Sequence, residues 1–164
     1  MLPDLFIQKL RCPHCKSERL AFGKQEYWAS CNECGENFGV IHGIPFLATP
    51  EIAGAVREAQ SISLNETHHD DLDGVSTYDM FVPDGACQRR IRTTLKGAAV
   101  ESGAETLLDV CCGTGNILRT SAGFFEHSLG IDISVNMMNI AKGRDLKVLG
   151  ADALNVPLKD NSVN

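Results

Sequence analysis

At 164 residues, 43% hydrophobic and 22% charged with Gly 15 and Pro 6, the chain has an ordinary globular composition, which excludes disorder throughout and collagen-like or low-complexity architecture. No run approaches the roughly 18 apolar residues of a membrane span, and Met1-Leu2-Pro3-Asp4 lacks the basic segment and apolar core of a secretory signal. Lys and Arg total 15 against 21 Asp and Glu, a net charge of -6 without the dense basic stripe a phosphate backbone demands, so DNA is not an expected partner. The only basic cluster, Arg89, Arg90, Arg92 and Lys96, reads as a solvated helix face. A cysteine count of 7 with no signal peptide points to a reducing, cytoplasmic setting in which thiols bind metal or stay free.

In chain order, Cys12-Pro-His-Cys15 and Cys31-Asn-Glu-Cys34 come first. Each C-x-x-C turn can point both sulfurs at one ion, and two such turns complete a tetrahedron, so these residues predict a single structural zinc with no open coordination position. His14, inside the first knuckle, reads as a solvent-exposed spacer. Between the pairs, Leu20–Phe22 and Tyr27–Ala29 predict a short hairpin. The knuckles followed by Asn37-Phe-Gly-Val-Ile and then Gly43-Ile-Pro-Phe-Leu47 resemble the zinc-ribbon family of small tRNA-methyltransferase activator proteins, over roughly residues 5–48. Similar ribbons open certain bacterial and archaeal methyltransferases. So small a module (residues 1–50) draws much of its folding free energy from the metal.

Residues 51–75 carry six acids (Glu51, Glu58, Glu66, Asp70, Asp71, Asp73) against Arg57 and read as an acidic linker or lid. Pro50–Gln60 could form two or three helical turns, and 61–74 is rich in turn formers. His68-His69-Asp70-Asp71 reads as a solvated charge run rather than a metal site. Tyr78–Phe81 marks the edge of the next unit.

Residues 76–164 alternate helix and strand: helix 87–102 capped by Gly103, strand 105–110, helix 116–125, strand 128–132, helix 135–142 with Ser134 as N-cap, and strand 146–149. That order predicts a parallel, doubly wound arrangement. The first strand ends in Asp109 and runs into Cys111-Cys112-Gly113-Thr114-Gly115. A strand ending in Gly-x-Gly before a helix is a nucleotide-site geometry, since glycine admits the ligand to the backbone and free N–H groups favour negative charge. Asp132 ends the next strand, where its carboxylate can accept from both hydroxyls of a ribose. Leu118 stands where a dinucleotide fingerprint needs its third glycine, which disfavours an NAD-dependent oxidoreductase. Cys111 and Cys112 have no paired base nearby and read as small loop residues, and Cys87 as structural.

Asp109-Val-Cys-Cys-Gly-Thr-Gly115, Gly130-Ile-Asp132-Ile-Ser134-x-x-Met137 and Gly150-Ala-Asp152-Ala-x-x-x-Pro157 together resemble class I S-adenosylmethionine-dependent methyltransferases. The loop variant is similar to the ubiquinone/menaquinone C-methyltransferase type, with cysteine at 111 where glycine is commoner. The resemblance implies that Asp109 organises the loop facing the methionine amino group, and that Cys111, Gly113 and Gly115 line the methionine and ribose end. It implies further that Asp132 binds the ribose, that Ile133 and Met137 lie beside the adenine, that Asp152 accepts from the adenine amino group, and that Ala153 contacts the ring. It also implies a seven-stranded sheet, of which this chain would supply strands one to three and the start of the fourth, leaving strand one with an open edge.

The expected fold is therefore α/β: an N-terminal β zinc ribbon followed by a partial Rossmann-like sheet. The expected function is methyl transfer from S-adenosylmethionine to a small molecule or RNA, with the catalytic residues for the acceptor outside these residues. The alternative is a non-enzymatic ribbon adaptor that activates another methyltransferase. A protein partner would meet the ribbon or the open sheet edge.

Overall fold

The computed structural model describes residues 2–23, 27–65 and 86–163, with side chains of 60–65, 86 and 87 left aside. His68–Asp71 and Tyr78–Phe81 lie outside the described residues, as does the Cys87 side chain. The ribbon begins with α1 (Asp4–Gln8), whose Asp4 sits in the first turn, where the helix dipole favours an acid. Strands β1 (Leu20–Phe22), β2 (Ala29–Cys31) and β3 (Asn37–Phe38) form an antiparallel sheet, and β4 (Val40–Ile41) pairs with β5 (Ile44–Pro45). The return strand of the hairpin lies slightly later than the sequence predicts, because Ala29 and Cys31 take the buried positions while Tyr27 is turned to solvent.

α2 (Pro50–Asn65) runs further than the helix expected over 50–60 and absorbs the first part of the stretch read as linker. α3 (Ala86–Ser102) matches its prediction and ends at Gly103, whose φ of 62° is the left-handed conformation a helix stop uses. Arg89, Arg90, Arg92 and Lys96 are exposed on it, as expected; the Arg92 guanidinium also lies 4.5 Å over the Phe124 ring centroid.

β6 (Thr106–Val110), β7 (His127–Asp132) and β8 (Val148–Gly150) form a parallel sheet in that order, the doubly wound topology expected. β6 pairs with β7 alone among the described residues, so its other side is an open edge. α4 (Asn116–Thr120) stops well short of residue 125, because Ser121 is buried with its hydroxyl on the Leu118 carbonyl and Gly123 (φ 84°) turns the chain. α5 (Val135–Gly143) is capped by Ser134 and buries Val135, Met138 and Ala141 on one face. No fourth strand begins among the described residues after β8. Leu158 instead bridges antiparallel to Leu10 of the ribbon.

Strand alternation sends Leu129 and Ile131 to one face of the parallel sheet. That face packs on the ribbon: Phe6, Leu10, Phe38 and Leu47 share a single core with Leu129, Ile131, Leu149, Ala151 and Leu158. The second core gathers Leu118, Val135, Met138 and Val148 with Ile41, Ile44 and Phe46. Ribbon and sheet are thus joined through both cores.

Candidate functional site

The cysteine knuckles meet beside the core that the ribbon shares with the parallel sheet, with Cys12 and Cys31 buried in it. Lys16 and Gly35, each directly after a knuckle, adopt positive φ (64° and 79°) and reverse the chain, and Lys16 N and Gly35 N donate to the carbonyls of Cys12 and Cys31. The four thiol sulfurs all lie within 4.8 Å of one another, with Cys12 to Cys34 at 3.7 Å and Cys15 to Cys31 at 3.6 Å. A tetrahedron with Zn–S bonds of about 2.3 Å has edges of about 3.8 Å, so the cluster fits a four-thiolate zinc site. Burial pushes the Cys12 thiol up to about 12. At Cys31 burial also raises the pKa, but hydrogen bonds from the backbone N–H groups of Cys34 and Glu33 and from the Cys15 and Cys34 thiols together outweigh it and hold the thiol at about 7. His14 is exposed, as a spacer should be.

The second cluster stands at the C-terminal ends of β6, β7 and β8, where open α/β sheets bind ligands. Cys111 (φ 63°), Gly113 (φ 52°) and Gly115 (φ 80°) curl the chain in left-handed turns between β6 and α4. Gly115 has no room for a side chain, because a Cβ there would drive into Leu146 and lie 3.2 Å from Ala141. Asp132 locks the loop. Its Oδ2 accepts from Gly113 N at 2.8 Å and its Oδ1 from Ser134 N at 2.8 Å.

Asp109 has a different environment. Its Oδ2 is buried and has no hydrogen-bond partner. Burial first, and the negative charge of Asp132 second, raise its pKa from 3.8 to about 6. An orphaned carboxylate oxygen beside a second acid is suited to a cationic or hydrogen-donating ligand group. Met137 lies along the same loop, since a Cβ on Gly113 would meet its sulfur at 3.5 Å. Ile133 (43% exposed) and Ala153 lie open to solvent at the strand ends. Asp152 caps the 3-10 turn Ala153–Asn155, its Oδ1 accepting from Leu154 N at 2.9 Å, and its other oxygen remains available. Cys112 is held at about 12 by burial and by the charges of Asp132 and Asp109, which removes it as a nucleophile.

Three features escaped the sequence reading. Gly130 is required because a Cβ would strike Cys112 and Leu118. Gly150 is required because a Cβ would strike the Phe46 ring. Asn155 reaches the Pro13 carbonyl of the first knuckle at 2.7 Å. The last two pairings join the ribbon to the sheet unit, and no local sequence pattern announces them.

A parallel sheet with a glycine loop after its first strand, an acid at the end of its second and an acid-capped turn after its third is an open α/β crevice of the nucleotide-binding type. Residues 107–164 match the family model described as a methyltransferase domain. The chain is 36% identical over 81 residues to a demethylmenaquinone methyltransferase of Oceanobacillus iheyensis, covering 43% of this chain and 34% of that protein. It is 34% identical over 79 residues to the enzyme of the same name from Staphylococcus aureus, covering 43% and 32%. Streptomyces venezuelae DesVI, a solved structure, is similar at 28% identity with a TM-score of 0.41, covering 46% of this chain and 34% of that one. The chain thus spans about a third of the length of the curated relatives it matches. No helix among the described residues is long and apolar enough to cross a membrane.

Proposed function

We propose that the crevice at the ends of β6, β7 and β8 binds S-adenosylmethionine, and that the protein transfers its methyl group to a small organic acceptor. One observation carries the reading: the buried, unpartnered Oδ2 of Asp109 beside Asp132, over a loop of left-handed residues. In this assignment Asp109 takes the methionine amino group, and Cys111, Gly113 and Gly115 line the methionine and ribose end. Asp132 accepts from the ribose hydroxyls on the lone pairs that Gly113 N and Ser134 N leave free. Ile133 and Met137 flank the adenine, Asp152 accepts from its amino group, and Ala153 contacts the ring. When bound, the cofactor supplies a methyl group on a sulfonium that is its own leaving group. The chain's residues bind and orient it and shield the reacting end from water. Cys12, Cys15, Cys31 and Cys34 hold a single structural zinc.

A small, largely apolar acceptor suits the rim, where Val110 (44%), Ile133 (43%) and Leu154 (96%) are exposed apolar groups. A net charge of -6 disfavours RNA, and the curated relatives are named for a quinone precursor. The zinc thiolates suit a reducing compartment such as the cytoplasm. The open edge of β6 is where another strand or a protein partner would pair.

Calorimetric titration of S-adenosylhomocysteine into the zinc-loaded chain, beside Asp132→Ala, tests the reading. Saturable binding that the substitution weakens by about 1–3 kcal/mol is expected, the cost of unpaired polar groups. A folded sample that binds nothing refutes it and favours a ribbon adaptor instead.

A further inference from the structure

The segment that carries Asp152 and Ala153 is held at both ends by the ribbon. Leu47 N donates to Gly150 O at 2.7 Å on one side, and on the other Arg11 N donates to Pro157 O at 3.0 Å and Lys159 N to Lys9 O at 2.9 Å. Ion pairs repeat the join: Arg11 with Asp160 at 2.9 Å and Lys159 with Glu18 at 3.2 Å. Between those anchors the turn itself is open, with Leu154 96% exposed. Asn155 ties it down. Its backbone N–H closes the turn on Asp152 O at 3.0 Å, while its side-chain Nδ2 donates to Pro13 O at 2.7 Å. Pro13 is buried between Cys12 and Cys15, so the sulfurs that fit a metal also fix the direction of that carbonyl.

Resting on the nucleoside assignment above, we propose that Asn155 is a positioning residue through which the Cys12–Cys15 knuckle sets the Asp152 carboxylate for adenine recognition. The ribbon is then part of the cofactor site's scaffold rather than an appendage. Its knuckle geometry and the grip on the nucleoside are coupled, and by linkage each strengthens the other.

The test uses the full zinc-loaded chain. Asn155→Ala is expected to keep a single zinc and to bind S-adenosylhomocysteine roughly 3- to 10-fold more weakly, the scale of one neutral hydrogen bond. Adenosine should weaken by the same factor. In the variant the amides of Leu154 and of residue 155 should exchange faster with solvent while the Met137 amide does not. A merely structural role would lower the unfolding midpoint and leave adenosine affinity unchanged. Should Asn155→Ala lose its zinc, Asn155→Asp decides, since it keeps the shape and removes the donor. Failure of the unsubstituted chain to bind S-adenosylhomocysteine overturns the nucleoside assignment itself. Equal binding by the unsubstituted chain and the variant, with the unsubstituted chain binding as expected, overturns the role of Asn155 alone.

Discussion

Gly150→Ala probes the joint between ribbon and sheet. A Cβ at Gly150 would overlap Cδ2 of Phe46 and stand 2.5 Å and 2.8 Å from its Cε2 and Cγ. Carbon atoms settle at about 3.5–4.0 Å, so the ring would have to retreat by about 1.5 Å. It has little freedom to do so, being 2% exposed in a core with Ile44, Met138 and Val148. Overpacking of this kind costs about 1–3 kcal/mol, and straining the adjacent Leu47 N to Gly150 O bond adds about 1 kcal/mol. Gly150 lacks a positive φ, so the stiffer unfolded chain returns about 0.4–1 kcal/mol. The net expectation is a loss of about 1–3.5 kcal/mol. Denaturant titration of Gly150→Ala, Phe46→Ala and the double variant at saturating zinc measures it. Phe46→Ala alone should cost about 3–5 kcal/mol, and the double variant should cost less than the sum, because the clash needs the ring. A Gly150→Ala protein within about 0.5 kcal/mol of the parent, or strictly additive costs, would refute this packing.

Cys111→Gly should raise the unfolding midpoint: a φ of 63° strains a non-glycine residue by about 1–2 kcal/mol, only partly offset by the looser unfolded chain; a lower midpoint would contradict the strained loop. Asp109 has a folded pKa of about 6 above its ordinary 3.8, so the folded state binds the extra proton between those values. Stability is favoured below about pH 4 and falls as pH rises through 6. Asp109→Asn should therefore gain on the parent protein between pH 4 and pH 8 in thermal melts, and a pH-independent difference would dismiss the burial argument. Metal analysis should find a single zinc per chain. Chelation should melt ribbon and sheet together, because Cys12, Cys31, Leu129 and Leu149 lie in the same core; retention of the parallel sheet's exchange protection without metal would show the two to be independent.

Local chemistry made much of this legible. The knuckles, the glycine loop, Ser134 as a cap and the three parallel strands follow from spacing, periodicity and turn residues, and each stands close to where those patterns put it. The helix expected to reach residue 125 failed because Phe124 and Phe125 continue the apolar pattern, while buried Ser121 and Gly123 had already ended the helix. The length of α2 was hidden because residues 61–65 open a stretch, 61–74, that is acidic from Glu66 onward and rich in turn formers. What sequence could not show is tertiary pairing. Phe46 against Gly150 and Asn155 against Pro13 join residues far apart in the chain, and each partner alone looks ordinary.

Backbone amide mapping of S-adenosylhomocysteine binding locates the cofactor site residue by residue. On titration into the isotopically labelled, zinc-loaded chain, the amides of Gly113, Gly115, Ile133, Ala153 and Leu154 should shift together along one saturable curve. Those of Ala21 and Ser30, in the ribbon's hairpin, should stay still. Absence of any shift, or shifts confined to the ribbon, would contradict the assignment of the crevice.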